Sequence, residues 1–333
     1  MALALVEQKT KIAVTTSVLF DMSEEDSIWR REKAGELSRG SYYSFMRGRI
    51  DDPLKYGPAF DNIKALAQSR SHEIILMSRN SPLTALRAMR TLLANHIIPA
   101  QYVFTNGCSI TPYLPYYKPD EFRTTNESDA QEAANLGFAS LVYDHVNPDA
   151  FVEYEPQNKV HPLFTGPRAI TSLDIRQSFQ GKVSQEYIAS HVYDFDGVLA
   201  GLESEEIFER HGLDAYRAHE EQNARIPLSK GTYWERFFAD AKNPEIKAHI
   251  VSTRGGKAGF RPIEMLAYNN VEPDGEVHCV GGEAKGPLLG IMKDRYPRGF
   301  HFFDDSHSKV KSGLEHGVLA GRVVTPKPRD PAA

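Results

Sequence analysis

The sequence predicts an α/β protein of two tandem, duplicated halves. Each half is a doubly wound parallel sheet carrying a small helical insert. Three observations lead there. Short apolar runs bounded by turn residues alternate with amphipathic stretches, the pattern of parallel strands joined by helices. Blocks of the first half recur, in order, in the second. A length of 333 residues suits about two domains on the ~150-residue prior.

The repeat is legible block by block, and repeats fix architecture before motifs do. IILMSRN (74–80) parallels HIVSTRG (249–255), and TNGCSITPYL (105–114) parallels VGGEAKGPLL (280–289), both at an offset of 175 residues. Upstream, DPLKYGP (52–58) parallels IPLSKGT (226–232), and SVLFDMSEEDSIW (17–29) parallels GVLAGLESEEIF (197–208) with one indel. Strands of the second half are expected near 189–195, 247–252, 276–280 and 299–303, with helices near 203–222, 231–241, 257–269 and 286–295. The boundaries follow: a degenerate first half (1–145), a connector rich in Pro and polar residues (146–188), and a second half (189–333) with its cap insert at 201–230.

Composition narrows the class. With 25% charged and 41% apolar residues the chain reads as a soluble globular protein. A net charge of −5 gives no basic surface for a nucleic-acid polymer. Two distant cysteines, Cys108 and Cys279, argue against a disulfide framework and for a reducing compartment. MALALVEQKTK lacks the basic start and apolar run of a leader, and no eighteen-residue apolar stretch occurs. A cytoplasmic protein without membrane attachment is expected.

HVYDFDGVLAG (191–201) carries the chemistry. Asp194 and Asp196 stand two residues apart after an apolar strand, so both project to one side. Two such carboxylates repel unless a cation or proton lies between them. A plain Asp-Gly turn is the bland alternative. The other strands decide, because each ends in something useful: Ser252-Thr253-Arg254, Gly281-Gly282 leading to Lys285, and Asp304-Asp305. In a parallel sheet these tips lie side by side, where ligands bind. Clustered carboxylates suit Mg²⁺. Lys285, a hydroxyl and the N–H groups of the helix that Pro287 helps to start suit a phosphate.

The order DFDGV, then Ser, Lys and FFDD, resembles the haloacid dehalogenase superfamily of phosphohydrolases. The finer resemblance is to the cytosolic 5′-nucleotidase type I family. It rests on FDM, YGPAF, ILMSRN, FTNG and YL in the first half, and on DFDGVLAGLESEEIFERHGLDAYRAHE, IPLSKG, GGEAKGPLL and FFDD in the second. The connector and LPYYKPDEFRTTNESD (114–129) match it loosely.

The resemblance implies a Mg²⁺-dependent hydrolysis of nucleoside 5′-monophosphates through an aspartyl-phosphate. Asp194 would be the nucleophile and Asp196 the general acid and base. Ser252 and Lys285 would hold the phosphoryl oxygens, with Thr253 as the alternative hydroxyl. Asp194, the Asp196 carbonyl and Asp304 or Asp305 would hold the metal. Arg254 is either a phosphate contact or a helix cap, and Gly197 and Gly282 bring backbone close to the substrate.

Aligning the halves puts Val14 where Asp194 stands, Thr16 at Asp196 and Ile110 at Lys285. The first half has lost the nucleophile, and its carboxylates Asp21 and Asp144 lie elsewhere. It is expected to be structural or to lend Phe20, Asp21, Asn80, Thr105, Asn106 and Gly107 to a nucleoside pocket, again by resemblance. The partner is a small nucleotide; a homo-oligomer is allowed for. The alternatives are a phosphatase or phosphotransferase for another small phosphomonoester, and a non-catalytic nucleotide-binding protein.

Overall fold

Strands β1 (Thr10–Thr15) and β2 (His72–Ser78) are buried at every position past their first two residues. Parallel strands covered by helices on both faces read as such near-continuous apolar runs. The computed structural model describes residues 9–69, 71–143, 151–154 and 187–324, with backbone alone over 151–154. The chain divides into two compact units, Met1–Gln180 and Gly181–Ala333.

The first unit continues with β3 (Gln101–Phe104), β4 (Glu121–Thr124), β5 (Ala139–Tyr143) and β6 (Phe151–Tyr154). Their order is β3-β2-β1-β4-β5-β6, parallel except for β6, which runs antiparallel to β5. β6 falls in the span expected as connector; most of that span, and Asp144, lie outside the described residues. After β1 comes one helical turn, α1 (Thr16–Leu19), and the insert that follows holds α2 (Ser23–Lys33) and α3 (Ser41–Gly48). Then come α4 (Phe60–Gln68), α5 (Pro82–Ala94), α6 (Leu114–Tyr117) and α7 (Glu127–Asn135). Ser81 and Asn126 cap α5 and α7 by accepting backbone N–H bonds, from Thr84 at 3.3 Å and from Ser128 at 2.9 Å.

The second unit orders its strands β11-β10-β7-β8-β9, all parallel. They are β7 (Ala189–Tyr193), β8 (Ile246–Ser252), β9 (Val277–Cys279), β10 (Phe300–Asp304) and β11 (Leu319–Arg322). Its helices are α8 (Glu203–Gln222), α9 (Trp234–Lys242), α10 (Phe260–Tyr268), α11 (Lys285–Arg295) and α12 (His307–Glu315). Each unit has the α/β, mostly or wholly parallel, Rossmann-like architecture that the sequence predicts.

Several boundaries differ from expectation. The helix expected from 231 starts at Trp234, because the preceding residues tie back to the turn after β7. Gly231 N donates to Leu199 O at 2.8 Å and Tyr233 N to Val198 O at 2.9 Å. The helix expected from 257 opens as a 3₁₀ turn, Gly256–Gly259. The elements α12 and β11 lay beyond the expected strands; β11 reads LAGR and is mostly exposed, with no apolar run to announce it. In the cap, α8 breaks at Gly212 (φ 79°). It buries Ser204 and Glu220, while Phe208 and Leu213 are exposed.

The strand registers repeat between the units. Ala13 pairs with Ile75 as Tyr193 pairs with Ile250, and Ile12 pairs with Glu121 as Val192 pairs with Phe302. Counting onward along the strands, Val14 occupies the position of Asp194, and Arg123 that of Asp304.

Candidate active site

β7 lies between β8 and β10, so the chain after Tyr193 emerges between the ends of its two neighbours. Asp194 N donates to Phe303 O at 2.9 Å, carrying the ladder one residue past β7. Its carboxylate is 1% exposed and accepts from its neighbour's backbone, Phe195 N, at 2.6 Å. A carboxylate this deep is costly unless paired, and two ammonium groups pair it. Lys285 Nζ stands 2.5 Å from Asp194 Oδ1, and Lys309 Nζ 3.3 Å from Oδ2.

Lys285 opens α11, where Gly286 lets the helix lie against α12: a Cβ there would come within 2.7 Å of Ser312 O. Lys285 is itself buried, and its Nζ also donates to Asp304 Oδ2 at 2.8 Å. Asp304 ends β10, with Oδ1 accepting from Ser306 N at 2.8 Å. Oxygens of Asp194, Asp304 and Asp305 all lie within 4.8 Å of one another. The left-handed Gly197 (φ 71°) crosses this group so closely that a Cβ would fall 2.7 Å from Asp305 Cγ.

The electrostatics divide these acids. Burial raises the pKa of Asp194, but Lys285 and Lys309 outweigh it, so the group sits below the ordinary aspartate value. Burial raises Asp304 and Asp305, and the charge on Asp194 raises them further. Burial would lower Lys309, but Asp194 and Asp304 hold it above the ordinary lysine value. Three converging carboxylates, two of them reluctant to ionise beside the third, are a donor set that fits a hard divalent cation.

Asp196 turns away from this group toward Arg254. The guanidinium grips it with two bonds, Nε to Oδ2 at 2.9 Å and Nη2 to Oδ1 at 2.7 Å. Nη1 donates to Glu220 of the cap helix α8. Glu220 also accepts from Ser204 Oγ at 2.6 Å and from Arg261 Nη1 at 2.8 Å. In this geometry all three guanidinium nitrogens of Arg254 are engaged, by Asp196 and Glu220.

Ser252 ends β8 fully buried, its Oγ accepting from Arg254 N at 3.1 Å. Thr253 is half-buried, and its carbonyl accepts from Gly282 N at 2.8 Å, which ties the loop after β9 to this tip. Gly282 itself is exposed and left-handed (φ 89°). The structure therefore gathers Asp194, Lys285, Asp304 and Asp305 at one strand edge, with Asp196 and Arg254 beside them. Sequence reasoning missed Lys309, Glu220 and Arg261. Lys309 lay in an unrecognised helix, and the other two sat among many charged residues with no spacing that singled them out.

The first-unit candidates are spread. Phe20 is wholly buried, 5.9 Å ring to ring from Phe60. Thr105, Asn106 and Gly107 form a turn whose N–H groups donate to Ser78, Asn80 and Arg79 carbonyls. Asp21 and Asn80 line a cavity within that unit.

The family model described as 5′-nucleotidase matches residues 3–150 and 188–329, most of the chain. Among solved structures, a chain titled "Structure of Pnkp1/Rnl/Hen1 complex" aligns over 96% of this chain and 98% of that one, at 12% identity and a TM-score of 0.30. That likeness is too low to carry an argument. Among the described residues, no helix is long and apolar enough to cross a membrane.

Proposed function

The chain belongs to the 5′-nucleotidase family, a phosphoric monoester hydrolase family, and from that premise we propose that it hydrolyses nucleoside 5′-monophosphates with Mg²⁺ through an aspartyl-phosphate. The observation that carries the reading is the buried Asp194 carboxylate, paired by Lys285 and grouped with Asp304 and Asp305 at one strand edge.

An Asp194 carboxylate oxygen attacks phosphorus, and the bond from phosphorus to the ribose 5′-oxygen breaks. That oxygen leaves with the proton that Asp196 donates. Asp196 then accepts a proton from water, whose oxygen attacks phosphorus. The bond to Asp194 breaks, freeing phosphate and restoring the carboxylate. Covalent catalysis splits one difficult displacement into two. The low pKa of Asp194 keeps it ionised for attack. Lys285, with Ser252 or Thr253, holds the oxygens that do not react, where phosphoryl transfer needs charge stabilised. Asp194, the Asp196 carbonyl and Asp304 or Asp305 would hold Mg²⁺, which when bound offsets the charge of nucleophile and phosphate. The first-unit residues take no step in this chemistry.

The test is phosphate release from a panel of nucleoside monophosphates and sugar phosphates, with Mg²⁺ and with EDTA. Metal-dependent release from nucleotides, and weak release from sugars, supports the reading. Release from sugar phosphates alone keeps the Asp194 chemistry and discards the substrate. No release from any of them favours a nucleotide-binding protein.

A further inference from the structure

The cap helix α8 folds back on itself. Ser204 and Glu220 stand sixteen residues apart, which is about 24 Å along a straight helix. Yet Ser204 Oγ donates to Glu220 Oε1 at 2.6 Å. The break at Gly212 allows this, because a φ of 79° is open to glycine and costly for a residue with a side chain. Two antiparallel arms result. Phe208 of one arm meets Tyr216 of the other edge to face, with ring centroids 6.2 Å apart.

Glu220 closes the open end of this hairpin and is buried there. Its two oxygens have separate partners. Oε1 takes Ser204 and, at 2.8 Å, Arg261 Nη1, so it joins the arms to each other and to α10. Oε2 takes Arg254 Nη1, while Arg254 Nε and Nη2 go to Asp196. Charge therefore alternates along Asp196, Arg254, Glu220 and Arg261. Burial raises the pKa of Glu220, but Arg254 and Ser204 outweigh it and hold the group below the ordinary glutamate value. Fastening the cap alone would not need Oε2, since Oε1 already ties down both arms. Without Glu220, Arg254 Nη1 would keep only Ala258 O, at 3.5 Å. A buried guanidinium with an open donor turns toward whatever acceptor remains, and its two bonds to Asp196 turn with it.

We propose that Glu220 is a positioning residue for Asp196, acting through Arg254. The hairpin arm that closes the cap then also sets the carboxylate that gives and takes the proton. The inference rests on the reading above, in which Asp196 is acid and base.

The test compares the nucleoside monophosphate that the parent chain hydrolyses fastest with its analogue carrying sulfur for the bridging 5′-oxygen. In the analogue the P–S bond breaks with its electron pair on sulfur, and the thiolate leaves without a proton. The ratio kcat/KM covers the steps through the first phosphoryl transfer, so the later attack of water does not enter it. In Glu220→Gln, kcat/KM for the oxygen ester is expected to fall about tenfold, part of the roughly 10²–10⁴-fold that a positioned proton donor contributes. The sulfur analogue is expected to keep the parent's value. Equal losses on the two esters would overturn the proposal, because a merely structural role weakens both alike. So would no loss on either. Ser204→Ala loosens the same hairpin but leaves Glu220 on Arg254, and is expected to keep the parent's preference between the esters. A preference shifted as far in Ser204→Ala as in Glu220→Gln would assign the effect to the cap and overturn the proposal. The reading beneath it fails differently: a parent chain that releases phosphate from neither ester sinks both together.

Discussion

Arg254 holds Asp196 with two of its donors, at 2.9 and 2.7 Å, and holds Glu220 of the cap helix with a third. One guanidinium thus ties the proposed acid and base to the element that covers it. The grip suits the form of Asp196 that takes a proton from water. The form that gives a proton to the leaving group must release one of those bonds. Arg254→Lys keeps the charge but loses the planar fork. It is expected to lower kcat by about a hundredfold, the low end of what a positioned acid and base contributes, with little change in KM. A rise in KM alone would instead make Arg254 a substrate contact.

Asp194→Asn removes the proposed nucleophile while keeping shape and most hydrogen bonds. Activity is expected to fall by several orders of magnitude, on the order of 10⁴-fold or more, with circular dichroism unchanged. Lys309→Met removes the more distant of the two cations and is expected to cost roughly tenfold, since a partly exposed pair at 3.3 Å is weaker than a buried one. In the first unit, Val14→Thr at the mirrored position is expected to lower Tm by a few degrees and leave kcat intact. Steady-state kinetics on the three variants checks this ordering.

Gly197→Ala tests the proposed metal site from its backbone side. The new Cβ would displace the Asp305 carboxylate, and φ of 71° strains any residue with a side chain. The expected outcome is an apparent Mg²⁺ requirement raised at least about tenfold, as for other disturbed metal surroundings. Activity restored at high Mg²⁺ confirms the cause. EDTA is expected to abolish activity in the parent chain.

How much of this was legible in the sequence follows from the range of each interaction. Strand tips were legible because an apolar run followed by Asp, Ser or Gly-Gly is a local signal, and a parallel sheet then brings the tips together. The duplication helped, since Val14 against Asp194 marks the half that lacks the strand-end carboxylate. Lys309 was hidden because it approaches Asp194 from a short helix that buries only Val310 and Gly313. Glu220 and Arg254 meet across 34 residues, and nothing in the spacing of charges along α8 announces a buried one. Phe208 is exposed for a related reason. An aromatic on an amphipathic pattern predicts burial only when another element covers that face.

The last prediction concerns stability at acid pH. His249 lies fully buried, with Nε2 2.9 Å from Ser190 Oγ and with Nδ1 accepting from Glu276 N at 2.9 Å. Protonating Nδ1 would break that backbone bond. Burial, more than any charge nearby, pulls the group down from 6.5 to about 3. Because the folded value lies below the unfolded one, the unfolded chain binds the extra proton first as pH falls. This stability is complete above about pH 6.5 and drains as pH falls toward 3. Between pH 7 and pH 5 the loss from this one group is about 2 kcal/mol, or roughly 4–8 °C in Tm if this unit unfolds as one domain. Glu276, which the buried Arg295 and His278 hold at about 2, adds to the loss only below its unfolded value of 4.5. His249→Gln cannot take up this proton. Its Tm is expected to be lower at pH 7 and to fall less between pH 7 and pH 5 than that of the parent. Equal falls in the two proteins would assign the acid sensitivity to another group.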